Sequence, residues 1–205
     1  MRERKLTRLK GYDYSQAGAY FLTVCAQDRN CLFGKIKNGQ MWLNDVGRMI
    51  DIWWRKIFDR YVNVSVDEYV IMPNHIHGII NIVGAIPCNR PVDNIKNKTA
   101  INDGKGENMV SPLRISNTHV GLGQYVSWFK RMSTTEYIQH AKNDNWPRFD
   151  KRIWQRNYYE HIIRNDAELN RVRQYIIENP LKWDMDYENP DNINAKITGV
   201  AKWAR

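Results

Sequence analysis

Glu68–Tyr69–Val70–Ile71–Met72–Pro73–Asn74–His75–Ile76–His77–Gly78–Ile79–Ile80–Asn81–Ile82 sets two histidines, one residue apart, between two apolar runs rich in β-branched side chains. β-Branched residues favour strands. Val62–Ile71 therefore reads as one strand, Met72–Pro73–Asn74 as a break, and His75–Val83 as the next strand, antiparallel to the first. Alternate side chains of a strand share a face. His75 and His77 then project together, while Ile76 points the other way into a core. Two imidazoles on one face can chelate a divalent cation. Unrelated histidines also occur at this spacing, so the rest of the chain must decide.

Upstream, Tyr20–Ala26 is rich in β-formers and reads as the first strand. As a signal-peptide core Ala19–Ala26 is short, and it carries Thr23. Cys31–Lys35 and Gln40–Leu43 read as a hairpin about Asn38–Gly39. Asn44 caps a helix reaching to about Asp59, with Val46, Met49, Ile50, Trp53, Trp54 and Ile57 on its apolar face. Downstream, Ala85–Asn117 has no sustained period and reads as a long mobile loop. Leu122–Lys142 is a second helix, buried through Tyr125, Trp128, Phe129 and Met132, with Lys130 and Arg131 off that side. Arg152–Gln155 is the candidate edge strand. Asp166–Glu178 is a last helix, started by Asn165 or Asp166 and ended at Asn179–Pro180. The order β-α-β-β-α-β plus a helix is that of an α+β, ferredoxin-like (split βαβ) antiparallel sheet with helices on one face. The expected organisation is a basic arm over 1–13, one domain over 14–183 and a tail over 184–205.

The chain has 205 residues, 42% of them hydrophobic, which is enough for one real core. Its formal net charge of +9 favours polyanionic partners. Eight tryptophans and eleven tyrosines accompany that charge, and aromatic faces among cations suit unpaired bases. Three cysteines, with no C-x-x-C, indicate neither a disulfide framework nor a cysteine zinc site. That points to a reducing, cytoplasmic setting. No run approaches the roughly 20 apolar residues of a membrane helix.

On the last helix Tyr175 and Asn179 are four apart and share a face. A phenolate can attack phosphorus and hold a DNA strand covalently. The Asn179 carboxamide oxygen is a hard ligand able to join His75 and His77 around Mg²⁺ or Mn²⁺. The same residues also suit a core aromatic and a helix C-cap.

Three blocks, in this order, resemble one family. Pro73–Asn74–His75–Ile76–His77 looks like the His-hydrophobe-His (HUH) motif of single-tyrosine transposases. Trp154–Gln155–Arg156–Asn157–Tyr158–Tyr159–Glu160–His161–Ile162–Ile163–Arg164–Asn165 resembles a block of the REP-associated tyrosine transposases. Tyr175–Ile176–Ile177–Glu178–Asn179–Pro180 resembles their nucleophile helix. The resemblance runs from about Tyr14 to Trp183. It implies an HUH endonuclease fold, a divalent metal on His75 and His77, and Asn179 as polar third ligand. It also implies Tyr175 as the nucleophile, giving a 5′-phosphotyrosine and a 3′-OH on single-stranded DNA beside a hairpin. Tyr158 and Tyr159 are rival nucleophiles. Lys130, Arg131, His161 and Arg164 are candidate DNA contacts, each with a plain structural alternative. A monomer and a homodimer are both compatible with the chain. Two other readings stay open: a non-catalytic single-strand binder on the same sheet, and a histidine-metal hydrolase that forms no protein–DNA link.

Overall fold

The first strand, β1 (Gly18–Cys25), is buried from Tyr20 to Cys25, so both its faces are covered. Alternation puts Tyr20, Leu22 and Val24 on one face and Phe21, Thr23 and Cys25 on the other. Such a strand belongs inside a sheet. In the computed structural model, which describes residues 9, 11–83 and 120–192, β1 lies between β5 (His75–Ile82) and β6 (Tyr159–Ile163). β4 (Val64–Ile71) completes the order β4-β5-β1-β6, and all neighbours are antiparallel. This is the ferredoxin-like arrangement that the element order predicts.

The two crossover helices, α1 (Asp45–Arg60) and α2 (Leu122–Asn143), cover one face. Asn44 opens α1 by accepting from Gly47 N–H at 2.9 Å, which satisfies one orphan donor of the first turn. Trp54 of α1 is fully buried over Gly78 of β5, where an added Cβ would come within 2.5 Å of the indole. Only glycine leaves that space. Ile76, Ile80 and Ile82 join the same core. The terminal helix, α3 (Asp166–Glu178), takes the opposite face, packing Val172 and Ile176 on Phe21, Ile79 and Ile163. Each such side chain removed from water contributes about 1.5–3 kcal/mol.

Between β1 and α1 stands a separate hairpin, β2 (Gly34–Lys37) and β3 (Gln40–Leu43). Asn38 and Gly39 both have positive φ, 51° and 71°, as a tight hairpin turn needs. Its first arm begins at Gly34, not at the expected Cys31.

The fourth sheet strand differs from expectation. Among the described residues Arg152–Gln155 makes an isolated bridge, Ala26 to Trp154. Around that bridge Gln155 N–H donates to the Cys25 carbonyl at 3.0 Å and Gln27 N–H to the Ile153 carbonyl at 2.6 Å, while the Trp154 indole donates to Ser133 Oγ at 3.0 Å and packs on Phe33 and Phe129. Tyr159–Ile163 pairs with β1 instead. The C-terminal boundary also moves. A 3-10 turn over Pro180–Met185 follows α3, Asn189 is buried, and Glu188 pairs with Arg29 at 2.9 Å. Residues 184–192 therefore belong to the folded unit, not to a tail. The expected arm over 1–13 (save residues 9 and 11–13), the loop over 85–117 and the remainder of the tail lie outside the described residues. Among the described residues no helix is long and apolar enough to cross a membrane.

Candidate active site

β5 begins immediately after the Met72–Asn74 break, and His75 and His77 share the face that α3 covers. Both are buried, with ring centroids 4.4 Å apart. Asn74 sets the first ring. Its amide nitrogen donates to the carbonyls of Arg29 at 2.9 Å and Glu188 at 2.7 Å. Two carbonyl acceptors fix which end of the amide is nitrogen, so Oδ1 must face His75 Nδ1, 2.8 Å away. His75 therefore carries its proton on Nδ1 and a lone pair on Nε2. That Nε2 is buried with no hydrogen-bond partner among the described residues, and Asp186 Oδ2 lies 3.9 Å from it. His77 is held at Nδ1 by Thr23 Oγ1, 2.9 Å away, from the cross-strand position on β1.

Burial pushes His75 down to about 3, and the charge of Arg29 acts the same way. His77 is also held well below the ordinary imidazole range, by burial first and then by His75, against an opposing pull from Asp186. Both rings are neutral at physiological pH, the form that binds metal.

α3 brings the tyrosine. Asn165 caps it by accepting from Glu168 N–H at 2.9 Å. With Val172 and Ile176 turned into the sheet, Tyr175 stands over the histidines, its Oη 3.2 Å from His77 Nε2. Asn179, one turn on, is 2% exposed, and its Oδ1 is buried without a hydrogen-bond partner among the described residues. Atoms from His75, His77 and Asp186 all fall within 4.8 Å of one another. Neutral imidazoles and a carboxylate form a donor set suited to a small divalent cation.

The other sequence candidates are placed as follows. Tyr159 lies on the α3 face, edge-on to Phe21 at 6.3 Å, while Tyr158 packs on the opposite core beside Lys130. His161 is joined to Glu168 of α3 at 2.8 Å, and the Arg164 N–H donates to the same carboxylate. The Arg164 side chain is exposed. Lys130 donates to the carbonyls of Gln155 and Asn157, at 2.9 and 3.0 Å. That desolvation lowers its ammonium to about 8. Lys130 and Arg131 line an open cavity of about 390 Å³ with Lys151, Arg152 and Arg156, on α2 and not beside the histidines.

Sequence reasoning missed Asp186, Asn74 as a ring-orienting residue, and Thr23. Thr23 had a signal, since it is the polar residue inside the apolar run of β1. Asp186 had little, since it lies beyond the family-like segment.

No protein-family model matches the chain. A Haemophilus influenzae protein described only as uncharacterized is 37% identical over 185 residues, 89% of this chain and 91% of its own length. A second Haemophilus influenzae protein, provisionally described as a REP-associated tyrosine transposase, is 24% identical over 170 residues, 83% of this chain and 74% of its own. Among solved structures, that of a REP-associated tyrosine transposase bound to a REP hairpin aligns with a TM-score of 0.49 and 20% identity, covering 86% of this chain and 74% of that one.

Proposed function

The chain belongs to one family with the 37%-identical Haemophilus influenzae protein and is a relative of the REP-associated tyrosine transposases, and from that premise we propose that it is a metal-dependent enzyme that cleaves and rejoins single-stranded DNA near hairpins through Tyr175. One observation carries the reading: the Tyr175 hydroxyl sits 3.2 Å from His77 Nε2, and His77 is clustered with His75 and Asp186, their ligand atoms within 4.8 Å of one another.

His75, His77 and Asp186 would hold the cation, with Asn179 supplying a further oxygen. The chemistry such an ion, Mg²⁺ or Mn²⁺, supplies when bound is polarisation of the scissile phosphate and stabilisation of charge on the leaving oxygen. Asn74 and Thr23 keep the two rings oriented. Phe21, Ile79, Val172 and Ile176 keep water from the inner side of the site.

In the proposed step the Tyr175 oxygen attacks phosphorus in line with the leaving 3′ oxygen. The Oη–P bond forms as the P–O3′ bond breaks. The phenolic proton passes to water, because His77 Nδ1 is engaged by Thr23 and its Nε2 is the atom that would hold the cation. The 3′ oxygen takes up a proton. The products are a 5′-phosphotyrosine and a free 3′-OH, and attack by a 3′-OH on the phosphotyrosine rejoins the strand with no added energy source.

The test is incubation with hairpin-bearing single strands and Mn²⁺, followed by mass analysis for DNA-linked tyrosine. Wild type should form the adduct, and Tyr175→Phe and His75→Ala should not. An adduct that survives Tyr175→Phe and disappears in Tyr159→Phe moves the nucleophile to β6. Cleavage with no adduct in any variant makes the protein a hydrolase.

A further inference from the structure

We propose that the outer face of the β2–β3 hairpin is a docking platform for unpaired nucleotides, with Trp42 stacking on a base and Lys35 and Lys37 meeting the flanking phosphates. This rests on the single-strand reading above and names a contact that reading lacks. Trp42 is 58% exposed, against complete burial of Trp54 and 4% exposure of Trp154. Lys35 is the cross-strand partner of Trp42, and Lys37 that of Gln40. The lysines and the indole therefore share one face, with the Lys37 ammonium 5.8 Å from the Trp42 ring. Ile36, Met41 and Leu43 take the other face, where Met41 and Leu43 pack on the core.

No carboxylate belongs to either strand of this ribbon. An exposed indole between two cations matches what single-strand binders present, since stacking tolerates any base and the cations follow the backbone. The ribbon also adjoins the site. A Cβ at Gly39, in the hairpin turn, would lie 2.5 Å from Leu181. Leu181 lies in the 3-10 turn between Asn179 and Asp186. A strand leaving the histidines along that turn meets the ribbon next. A second copy of this chain is the poorer occupant, because a twofold contact centred on Trp42 brings both lysine pairs together.

The experiment measures binding of a labelled hairpin with an unpaired tail, and of the same hairpin without it, in EDTA. Trp42→Ala should weaken the tailed hairpin about tenfold and leave the blunt one unchanged. Trp42→Phe should restore most of the loss. Lys35→Gln with Lys37→Gln should reduce the log–log salt slope by about 1.4, at about 0.7 per phosphate. Equal affinity of wild type and folded Trp42→Ala for the tailed hairpin overturns the platform. So does a Trp42→Ala change from dimer to monomer without loss of DNA affinity. The Mn²⁺ adduct assay separates the two ideas. Unchanged binding with a normal adduct defeats the platform alone. Trp42-dependent binding without an adduct defeats the enzyme reading alone.

Discussion

At the scale of single residues the site depends on where ring protons sit. Asn74→Ala removes the acceptor for His75 Nδ1–H and two donors to carbonyls. Leaving a buried donor unpaired costs about 1–3 kcal/mol. It also frees the ring to take the wrong tautomer. Loss of an outer partner of this kind typically lowers metal affinity about 10–100-fold, so calorimetry with Mn²⁺ should show a fall of that order, while Asn74→Gln should recover little because its longer arm cannot meet the same carbonyls. Tyr175→Phe should act in the opposite direction. Its hydroxyl is hydrogen-bonded with His77 Nε2 at 3.2 Å, the atom a cation would take, and one hydrogen bond is worth about 1 kcal/mol net, so removal should tighten Mn²⁺ binding roughly fivefold. A weaker Mn²⁺ affinity in Tyr175→Phe would mean the phenol supports the ion instead of competing with it. These residues differ in how visible they were in the sequence. Strand period put His75 with His77 and helix period put Tyr175 with Asn179, and the resemblance to the transposase family joined the two pairs. Asn74 and Asp186 could not be placed with them, because what they do depends on Glu188 and on a chain reversal after α3, which no local period encodes.

At the scale of elements the question is what holds α3 on the sheet. β4 carries a bulge between Val66, opposite Ile80, and Tyr69, opposite Gly78. A bulge redirects the side chains beside it, and here Asp67 meets the Arg173 guanidinium through two bonds of 2.7 and 2.6 Å. Arg173 lies two residues before Tyr175, so this fork fixes the rotation of the helix that carries the phenol. The Arg173 bond, chiefly, pulls the Asp67 carboxyl down to about 2. Its unfolded value is near 3.9. The folded value is the lower one, so the stabilisation is complete above about pH 4 and is lost as pH falls from there towards about 2. Because the Arg173 side chain is 41% exposed, the contribution is discounted to about 1–2 kcal/mol. Asp67→Asn should lower stability by about that amount at pH 7 and flatten the acid limb of a denaturation series, and adduct formation should slow as α3 loosens. Identical acid limbs for the two proteins would show that the fork adds nothing. The sequence located α3, since the Asn179–Pro180 stop is a local signal, and left its cap between Asn165 and Asp166, of which Asn165 is the one that caps. It misplaced the strand before it. β6 puts buried Glu160 at a core position, which breaks the apolar alternation of a strand, whereas Arg152–Gln155 lies along the same edge and makes an isolated bridge through Trp154.

At the scale of the whole molecule the sheet divides the labour. One face, under α1 and α2, holds the larger core, and the other carries His75, His77 and α3. That division was legible because β1 and β5 are largely apolar on both faces, and the histidines, Thr23 and Asn81 are what interrupt the second. The closing of the site by residues 184–192 was not legible, since Arg29–Glu188 and Asn74–Glu188 are contacts between distant parts of the chain. Net charge acts at this scale as well. A chain at +9 that holds a single strand should do so largely by releasing counterions from phosphates. For single strands each neutralised phosphate adds about −0.7 to the slope of log affinity against log salt, so five contacts give about −3.5. Stacking on an aromatic adds affinity with almost no salt dependence, so the two contributions separate in one titration series. Wild type should show the steep slope. Trp42→Ala should keep that slope at lower affinity throughout, and the lysine double variant should show a shallower slope with an affinity loss that shrinks as salt rises. A wild-type affinity independent of salt would remove the phosphate-tracking surface from the reading, whatever the histidines and Tyr175 then prove to do.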